Sequence, residues 1–243
     1  GLFERDISQV GYFQNLWVRF FEAMGRVCYE AADEITALFE GNRLRQIADG
    51  APEYKTRNTP NGISVAQFAP LREQRPADIP PVVALIGRVV PIKDIKTFIR
   101  AIFIASRHMP GLQGWVVGPE EEDPAYAQEC RDIAASLGLE DSLRFMGFQK
   151  VSYILPQVGV MALSSISEAL PLVVLEAYAA GVPVVTTDVG SCRQLVEGLG
   201  DEDRALGPAG KVVQIANPEQ FAQALLDVLE PTTWHAAQRA AIA

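Results

Sequence analysis

The segment Ser167-Glu168-Ala169-Leu170-Pro171-Leu172-Val173-Val174-Leu175-Glu176-Ala177 sets two carboxylates around a helix start. Proline suits the first helical position, where the N–H it lacks would have no partner. The free N–H groups of Leu172 and Val173 then point out of the helix start. Together with the helix dipole they make an anion site of the kind that seats a phosphate. Glu168 lies before the helix and Glu176 inside it, so the two do not share one helical stripe. Carboxylates held apart in this way can grip different hydroxyls of a sugar nucleotide. The plainer reading makes Glu168 a capping carboxylate and Glu176 a helix-surface residue. Glu176, however, sits among Val, Leu, Ala and Tyr, where a charge needs a partner.

A second cluster is Gly87-Arg88-Val89-Val90-Pro91-Ile92-Lys93-Asp94, directly after an apolar run. Arg88 and Lys93 at the edge of a sheet could neutralise a diphosphate, each charge-assisted hydrogen bond contributing about 1.5–3 kcal/mol. Alone, this reading stands even with solvated loop charges and Asp94 capping the next helix. Beside the helix start at Pro171 it prevails. Gly118-Pro119-Glu120-Glu121-Glu122-Asp123 could be an acidic metal site, but a strand-end glycine followed by a helix start, where acids favour the dipole, is the stronger reading. No Asp-x-Asp pair follows a strand, and neither GxGxxG nor GxxxxGK[ST] is complete, which disfavours a metal-held diphosphate and the nicotinamide and ATP cassettes.

These residues need elements to hold them, and from Pro81 onward the pattern supplies them. Pro81–Gly87, Gly114–Gly118, Ser142–Met146, Val158–Leu163, Pro183–Thr186 and Lys211–Ile215 read as strands. Helical spacing intervenes around Ile95–Phe103, from Pro124 to Leu137 with Gly138 closing it, at Ser152–Leu155, from Pro171 to Ala180 and from Pro218 to Leu229. Strand and helix in repeated alternation predict parallel pairing with right-handed crossovers, a doubly wound α/β sheet. Ligands of such sheets bind outside the carboxyl ends of the strands, where the polar and glycine-rich segments fall.

The first sixty residues differ. Gln14–Ala31 has helical spacing, Glu34–Phe39 reads as a strand and Gly41–Asp49 as a short helix, with a turn at Asn58–Gly62. Proline-rich Phe68–Pro80 reads as a linker or loop. A boundary near Asn61 makes residues 1–60 the remnant of a neighbouring domain, since one helix and one strand cannot bury themselves.

With 49% hydrophobic and 21% charged residues, the chain of 243 has the make-up of a soluble globular protein, and no apolar run is long enough to span a bilayer. Its net charge of −9 is a poor match for a phosphate backbone, which excludes nucleic acid as the expected partner. Cys28, Cys130 and Cys192 are too far apart for a zinc site and odd in number, so all three read as buried reduced thiols. His108 ends a helix and His235 lies in a polar, alanine-rich stretch; neither is placed for acid–base work.

Glu168 and Glu176, with the following Ala180-Gly181-Val182-Pro183, resemble the E-x7-E signature of the retaining glycosyltransferases of family four. Gly87-Arg88 with Lys93 is similar to that family's diphosphate-gripping segment, and Asn61-Gly62 with Phe68 and Pro70 to its interdomain turn. The segments 86–100, 117–126, 148–150 and 188–195 resemble its Pel exopolysaccharide branch. The resemblance implies a GT-B fold, with a Rossmann-like donor domain over 61–230, part of a second Rossmann-like domain over 1–60, and a helix crossing back to that domain begun at 231–243. It implies a UDP-sugar donor, a growing polysaccharide as acceptor, retention at the anomeric carbon, and no cofactor or metal. The enzyme would be cytoplasmic and feed an export complex in the inner membrane.

Carried over by motif, Arg88 and Lys93 bind the diphosphate and stabilise the departing charge, Glu168 meets the sugar and Glu176 the ribose. The backbone at Gly147 and Phe148 flanks the base, and Gly118, Leu170, Pro171, Leu172 and Val173 complete the donor site. Arg5 resembles an arginine at the edge of the acceptor domain. With most of the amino-terminal domain outside the chain, donor binding without transfer is expected of it as it stands. A donor-binding module without activity and a UDP-sugar epimerase on the same fold are the alternatives, the second disfavoured by the positions of the two histidines.

Overall fold

The computed structural model describes residues 12–243, with side chains from Leu16 onward, so Arg5 lies outside the described residues. The chain divides into two units between Asn61 and Gly62. In the first, helix α1 (Tyr12–Ala31) is followed by strand β1 (Ile35–Ala37), helix α2 (Glu40–Ala48) and strand β2 (Thr56–Asn58). β1 and β2 pair in parallel, Ile35 opposite Thr56 and Ala37 opposite Asn58. Their connection runs through α2, a right-handed crossover being the usual way to join parallel neighbours. Lys55 Nζ donates to Glu30 O and Ala32 O, each at 2.9 Å, and so places a cation at the carboxyl end of α1. β2 was not expected: Thr-Arg-Asn carries no apolar alternation. α1 exposes Leu16, Trp17, Phe20, Phe21, Met24 and Val27. Cys28 is exposed as well, contrary to the expectation of three buried thiols, because it lies on the open side of α1; Cys130 and Cys192 are buried.

The second unit opens with helix α3 (Val65–Phe68) and a 3₁₀ turn over Ala69–Gln74. This is the stretch expected as a linker, and it is instead fastened to the unit. Phe68 and Leu71 are buried, Arg72 Nε donates to Ala179 O at 2.9 Å, and Arg75 donates to Leu155 O and Val158 O. Prolines here shape a strap whose arginines reach orphan carbonyls. Six strands follow: β3 (Val82–Ile86), β4 (Gln113–Val117), β5 (Leu143–Gly147), β6 (Val160–Leu163), β7 (Val184–Thr187) and β8 (Gly210–Val213). They form one parallel sheet in the order β5-β4-β3-β6-β7-β8. The helices between and after them are α4 (Ile95–His108), α5 (Pro124–Ser136), α6 (Val151–Ile154), α7 (Leu172–Ala179), α8 (Cys192–Glu197), α9 (Asp201–Ala205), α10 (Pro218–Leu229) and α11 (Pro231–Ile242).

The central strands β3 and β6 are apolar on both sides because both faces are covered, while the edge strands β5 and β8 carry Arg144 and Lys211. Val83, Leu85, Val116, Val160, Ala162 and Val185 point into a core with Phe98, Ile99 and Ile102 of α4 and Phe221 and Leu225 of α10. Ala84, Ile86, Val117, Met161, Leu163 and Val184 point the other way, against Val174 and Ala177 of α7, Phe68 and Leu71. Burying each of the larger side chains contributes about 1.5–3 kcal/mol. Four helices are closed at their starts by side chains: Asp94 accepts from Thr97 N, Asp123 from Tyr126 N, Asn217 from Gln220 N and Glu230 from Thr233 N. α11 packs back on its own unit, Trp234 Nε1 donating to Gly159 O at 2.7 Å and Gln238 Nε2 to Gly181 O at 3.2 Å. Among the described residues no helix is long and apolar enough to cross a membrane.

Candidate functional site

The strand order reverses between β3 and β6. The chain leaves β3 toward β4 and leaves β6 toward β7, so the loops diverge and open a crevice at the carboxyl edge of the sheet. Three glycines end the strands beside it. Gly87 N donates to Val117 O and Gly118 N to Gly147 O, both at 2.9 Å. Gly118 has φ +153°, and a Cβ on it would lie 1.9 Å from Gly87 O. Only glycine lets the loops after β3 and β4 approach this closely, and Val89 N completes the junction by donating to Pro119 O at 2.9 Å.

Across the crevice, the loop after β6 is tied to the loop after β3. Ser164 Oγ bonds to Lys93 O at 2.9 Å and Asp94 O at 3.0 Å, and Ile166 N donates to Ile92 O at 2.9 Å. On its other side Ser191 N donates to Ala169 O at 2.9 Å. There Gly190 has φ +55°, and a Cβ would lie 2.3 Å from Glu168 O. The backbone around Glu168 is thus gripped from both sides.

Lys93 and Glu168, 75 residues apart in sequence, form an ion pair at 2.5 Å with side-chain exposures of 19% and 14%. The stem of Lys93 passes over Gly87, where an added Cβ would come 3.6 Å from Lys93 Cε. A pair so sheltered loses much hydration, so its worth for stability is small unless the geometry is good; its worth lies in placing two opposite charges at the crevice. Ser165 Oγ donates to the same Glu168 Oε1 at 2.7 Å. Cys192 also lies within the field of Glu168: its thiol is pushed up to about 12, first by burial and then by that carboxylate.

Arg88 is half exposed and meets Glu122 at 2.6 and 2.7 Å. An exposed pair of this kind contributes about 0–1 kcal/mol, so the guanidinium can turn to an incoming anion at little cost. The acids of the 120–123 run are otherwise separately engaged: Glu120 pairs with Arg131, Glu121 accepts from Glu120 N, and Asp123 caps α5. Among the described residues, no group of three or more His, Cys, Asp and Glu side chains is gathered so that it could hold a metal ion.

Pro171 is the residue before α7, at φ −76° and ψ 108°, and not the first helical residue expected. Its extended ψ places its carbonyl to accept from Val174 N at 3.2 Å. No side chain caps this helix, which sets α7 apart from α4, α5, α10 and α11. The N–H groups of Leu172 and Val173 therefore face an open helix start, with Leu172 exposed and Leu170 half-buried beside it. At the other end Gly181, at φ +70°, turns the chain, and Arg72 puts a cation on the last carbonyls, which complements the dipole.

Glu176 points from α7 half-buried and, among the described residues, without a hydrogen bond or ion pair; burial raises its pKa above the usual carboxylate range. Gly147 ends β5 at φ +61°, and Phe148 beyond it is 76% exposed, an aromatic face offered to solvent. The structure therefore joins Lys93 to Glu168 and the Gly87–Arg88 loop to Gly118, while Glu176 and Phe148 make no polar link to that pair. Ser165, Thr187, Gly190 and Glu122 were not singled out from sequence. The polar run after the buried β6 is a signal for Ser165; Glu122 lies in the acidic run weighed as a metal site, and nothing in the sequence pointed to its pairing with Arg88.

Comparison with known proteins agrees with this architecture. A family model described as glycosyl transferases group 1 matches residues 80–231, and one described as a domain of unknown function matches residues 2–54. A D-inositol 3-phosphate glycosyltransferase of Streptomyces griseus is 28% identical over 218 residues, covering 81% of this chain and 44% of the relative. The crystal structure of Anabaena Alr3699/HepE in complex with UDP and glucose superposes with a TM-score of 0.73 at 22% identity, over 91% of this chain and 60% of that one. A sucrose-phosphate synthase of Thermosynechococcus elongatus gives 0.72 at 22% identity, over 99% and 58%. The chain thus spans less than two thirds of these relatives. The likeness establishes an α/β fold of the GT-B type with Rossmann-like parallel sheets.

Proposed function

The chain belongs to the group 1 glycosyl transferases, and from that premise we propose that residues 61–230 bind a UDP-sugar and that the whole protein transfers the sugar to a growing exopolysaccharide with retention. The observation that carries the reading is the Lys93–Glu168 ion pair, which joins the loop after β3 to the loop before α7 at the edge where strand order reverses. Arg88, Lys93 and the N–H groups of Leu172 and Val173 meet the diphosphate, so its charge is balanced by the chain's own donors and no metal is required. Glu176, a carboxylate without a partner among the described residues, takes the ribose hydroxyls, and Glu168 takes the sugar. Gly147 and Phe148 flank the base.

In the reaction the nucleoside diphosphate departs, the sugar passes through an oxocarbenium-like state, and the acceptor attacks the same face. Arg88, Lys93 and the helix start stabilise charge growing on the leaving phosphate, a preorganised electrostatic effect. The choice of UDP draws support from Alr3699/HepE, crystallised with UDP and glucose. The polysaccharide acceptor and an export complex of the inner membrane rest on the resemblance of segments 86–100, 117–126, 148–150 and 188–195 to the Pel branch. The test is calorimetric titration with UDP, GDP and ADP in EDTA. UDP alone is expected to bind, and Arg88→Ala to weaken it about tenfold, the loss of one charge-assisted bond. Failure of UDP to bind sinks the reading.

A further inference from the structure

We propose that Ser165 is a positioning residue for Glu168, fixing that carboxylate so that Oε2 is the oxygen offered to a hydroxyl of the donor sugar. The proposal rests on the donor-site reading above. Glu168 Oε1 accepts twice, from Lys93 Nζ at 2.5 Å and from Ser165 Oγ at 2.7 Å, while Oε2 receives no donor from the described residues. A carboxylate with both donors on one oxygen cannot turn without losing both, so its second oxygen keeps a defined direction.

Lys93 alone would not set that direction, because an ammonium on a four-carbon stem is a movable point charge with rotatable donors. Ser165 differs. It is fully buried, its carbonyl accepts from Thr187 Oγ1 at 2.5 Å, and Thr187 is fully buried at the end of β7. The residues on either side are bonded to the very loop that bears Lys93: Ser164 through Lys93 O and Asp94 O, Ile166 through Ile92 O. Both donors to Oε1 thus stand on one bonded framework spanning β3, β6 and β7. Its product is an acceptor oxygen at the crevice that no described residue occupies, suited to a ring hydroxyl and blind to the nucleotide.

The experiment is a double-mutant cycle on the full chain, read by calorimetric titration with UDP, UDP-glucose, UDP-galactose and UDP-N-acetylglucosamine. The quantity is the affinity of the best-bound sugar nucleotide relative to UDP. Ser165→Ala is expected to lower this ratio about tenfold while UDP affinity stays within about twofold. In a Glu168→Ala background the same substitution should change nothing further, as it must if Ser165 acts only through Glu168. Should the alanine variant lose UDP as well, Ser165→Cys, of similar volume but a weak donor, is read in the same way. An unchanged ratio, or an equal drop without Glu168, overturns the proposal and leaves the donor site standing. Absence of UDP binding in the parent chain overturns the donor site and this proposal together.

Discussion

Glu176 is a carboxylate whose charge the fold holds at a cost. Its carboxylate is half-buried in α7 without a partner among the described residues, and burial raises its pKa above the ordinary 4.5. The folded chain therefore holds this proton to higher pH than the unfolded chain does, and stability falls as pH rises from 4.5 through the raised value. Glu176→Gln removes the buried charge and keeps the shape. At pH 7 the variant is expected to melt about 1–3 °C higher, a gain of under about 1 kcal/mol for a chain of this size. The gain should vanish at pH 4, where both side chains are neutral. The same substitution should weaken UDP about tenfold, since a carboxylate accepts two hydroxyls more strongly than an amide. Calorimetric melting at the two pH values, paired with titration, reads both effects; a lower melting point at pH 7 would mean that Glu176 is stabilised within the chain. Stability given up at a single carboxylate is the usual mark of a site kept for binding.

At the scale of elements, the site depends on two strands ending within contact of each other. Gly118→Ala would drive a Cβ to 1.9 Å from Gly87 O, so the loops after β3 and β4 must part. The expected loss is about 3 kcal/mol or more, together with UDP binding. Gly200→Ala is the control: an added Cβ meets nothing within 4 Å, and its effect should stay within about 0.5 kcal/mol. Urea unfolding midpoints separate the two. The β/α alternation that brings these strands together was legible, because both-face burial makes the central strands β3 and β6 plain apolar runs between turns. β2 was not legible, since Thr-Arg-Asn owes its pairing to β1 and not to its own pattern. Nor was the strap at 69–75, whose prolines read as a linker while Arg72 and Arg75 bind carbonyls contributed from far along the chain. In the site, the segments at 87–93 and 168–176 stood out by residue type. The Arg88–Glu122 bond did not, because a partner 34 residues away is fixed by loop geometry that no local spacing encodes; Ser165, by contrast, lies only three residues before Glu168 in the polar run after β6.

For the molecule as a whole, the two units differ in how completely they bury themselves. Among the described residues, the two apolar clusters draw only on the second unit, running from Phe68 to Trp234. Its sheet is covered on both faces, its larger helices are capped, and α11 is fastened through Trp234 to Gly159. Among the described residues the first unit has two short strands, and along α1 the side chains of Leu16, Trp17, Phe20, Phe21, Met24 and Val27 are between 45% and 65% exposed. Hydrophobic burial is the main favourable term of folding, and a segment this short that leaves its largest side chains in water has little to set against chain entropy. Residues 62–243 produced alone are therefore expected to unfold in one cooperative urea transition, with the slope proper to their size. Residues 1–61 alone should show no such transition. Because Arg88, Lys93, Glu168, Glu176 and the start of α7 all lie in the second unit, the isolated piece should bind UDP within about threefold of the full chain, roughly 0.7 kcal/mol. If it folds cooperatively and yet fails to bind, the donor site draws on residues before Gly62. If it binds unchanged, donor recognition is a property of this sheet alone.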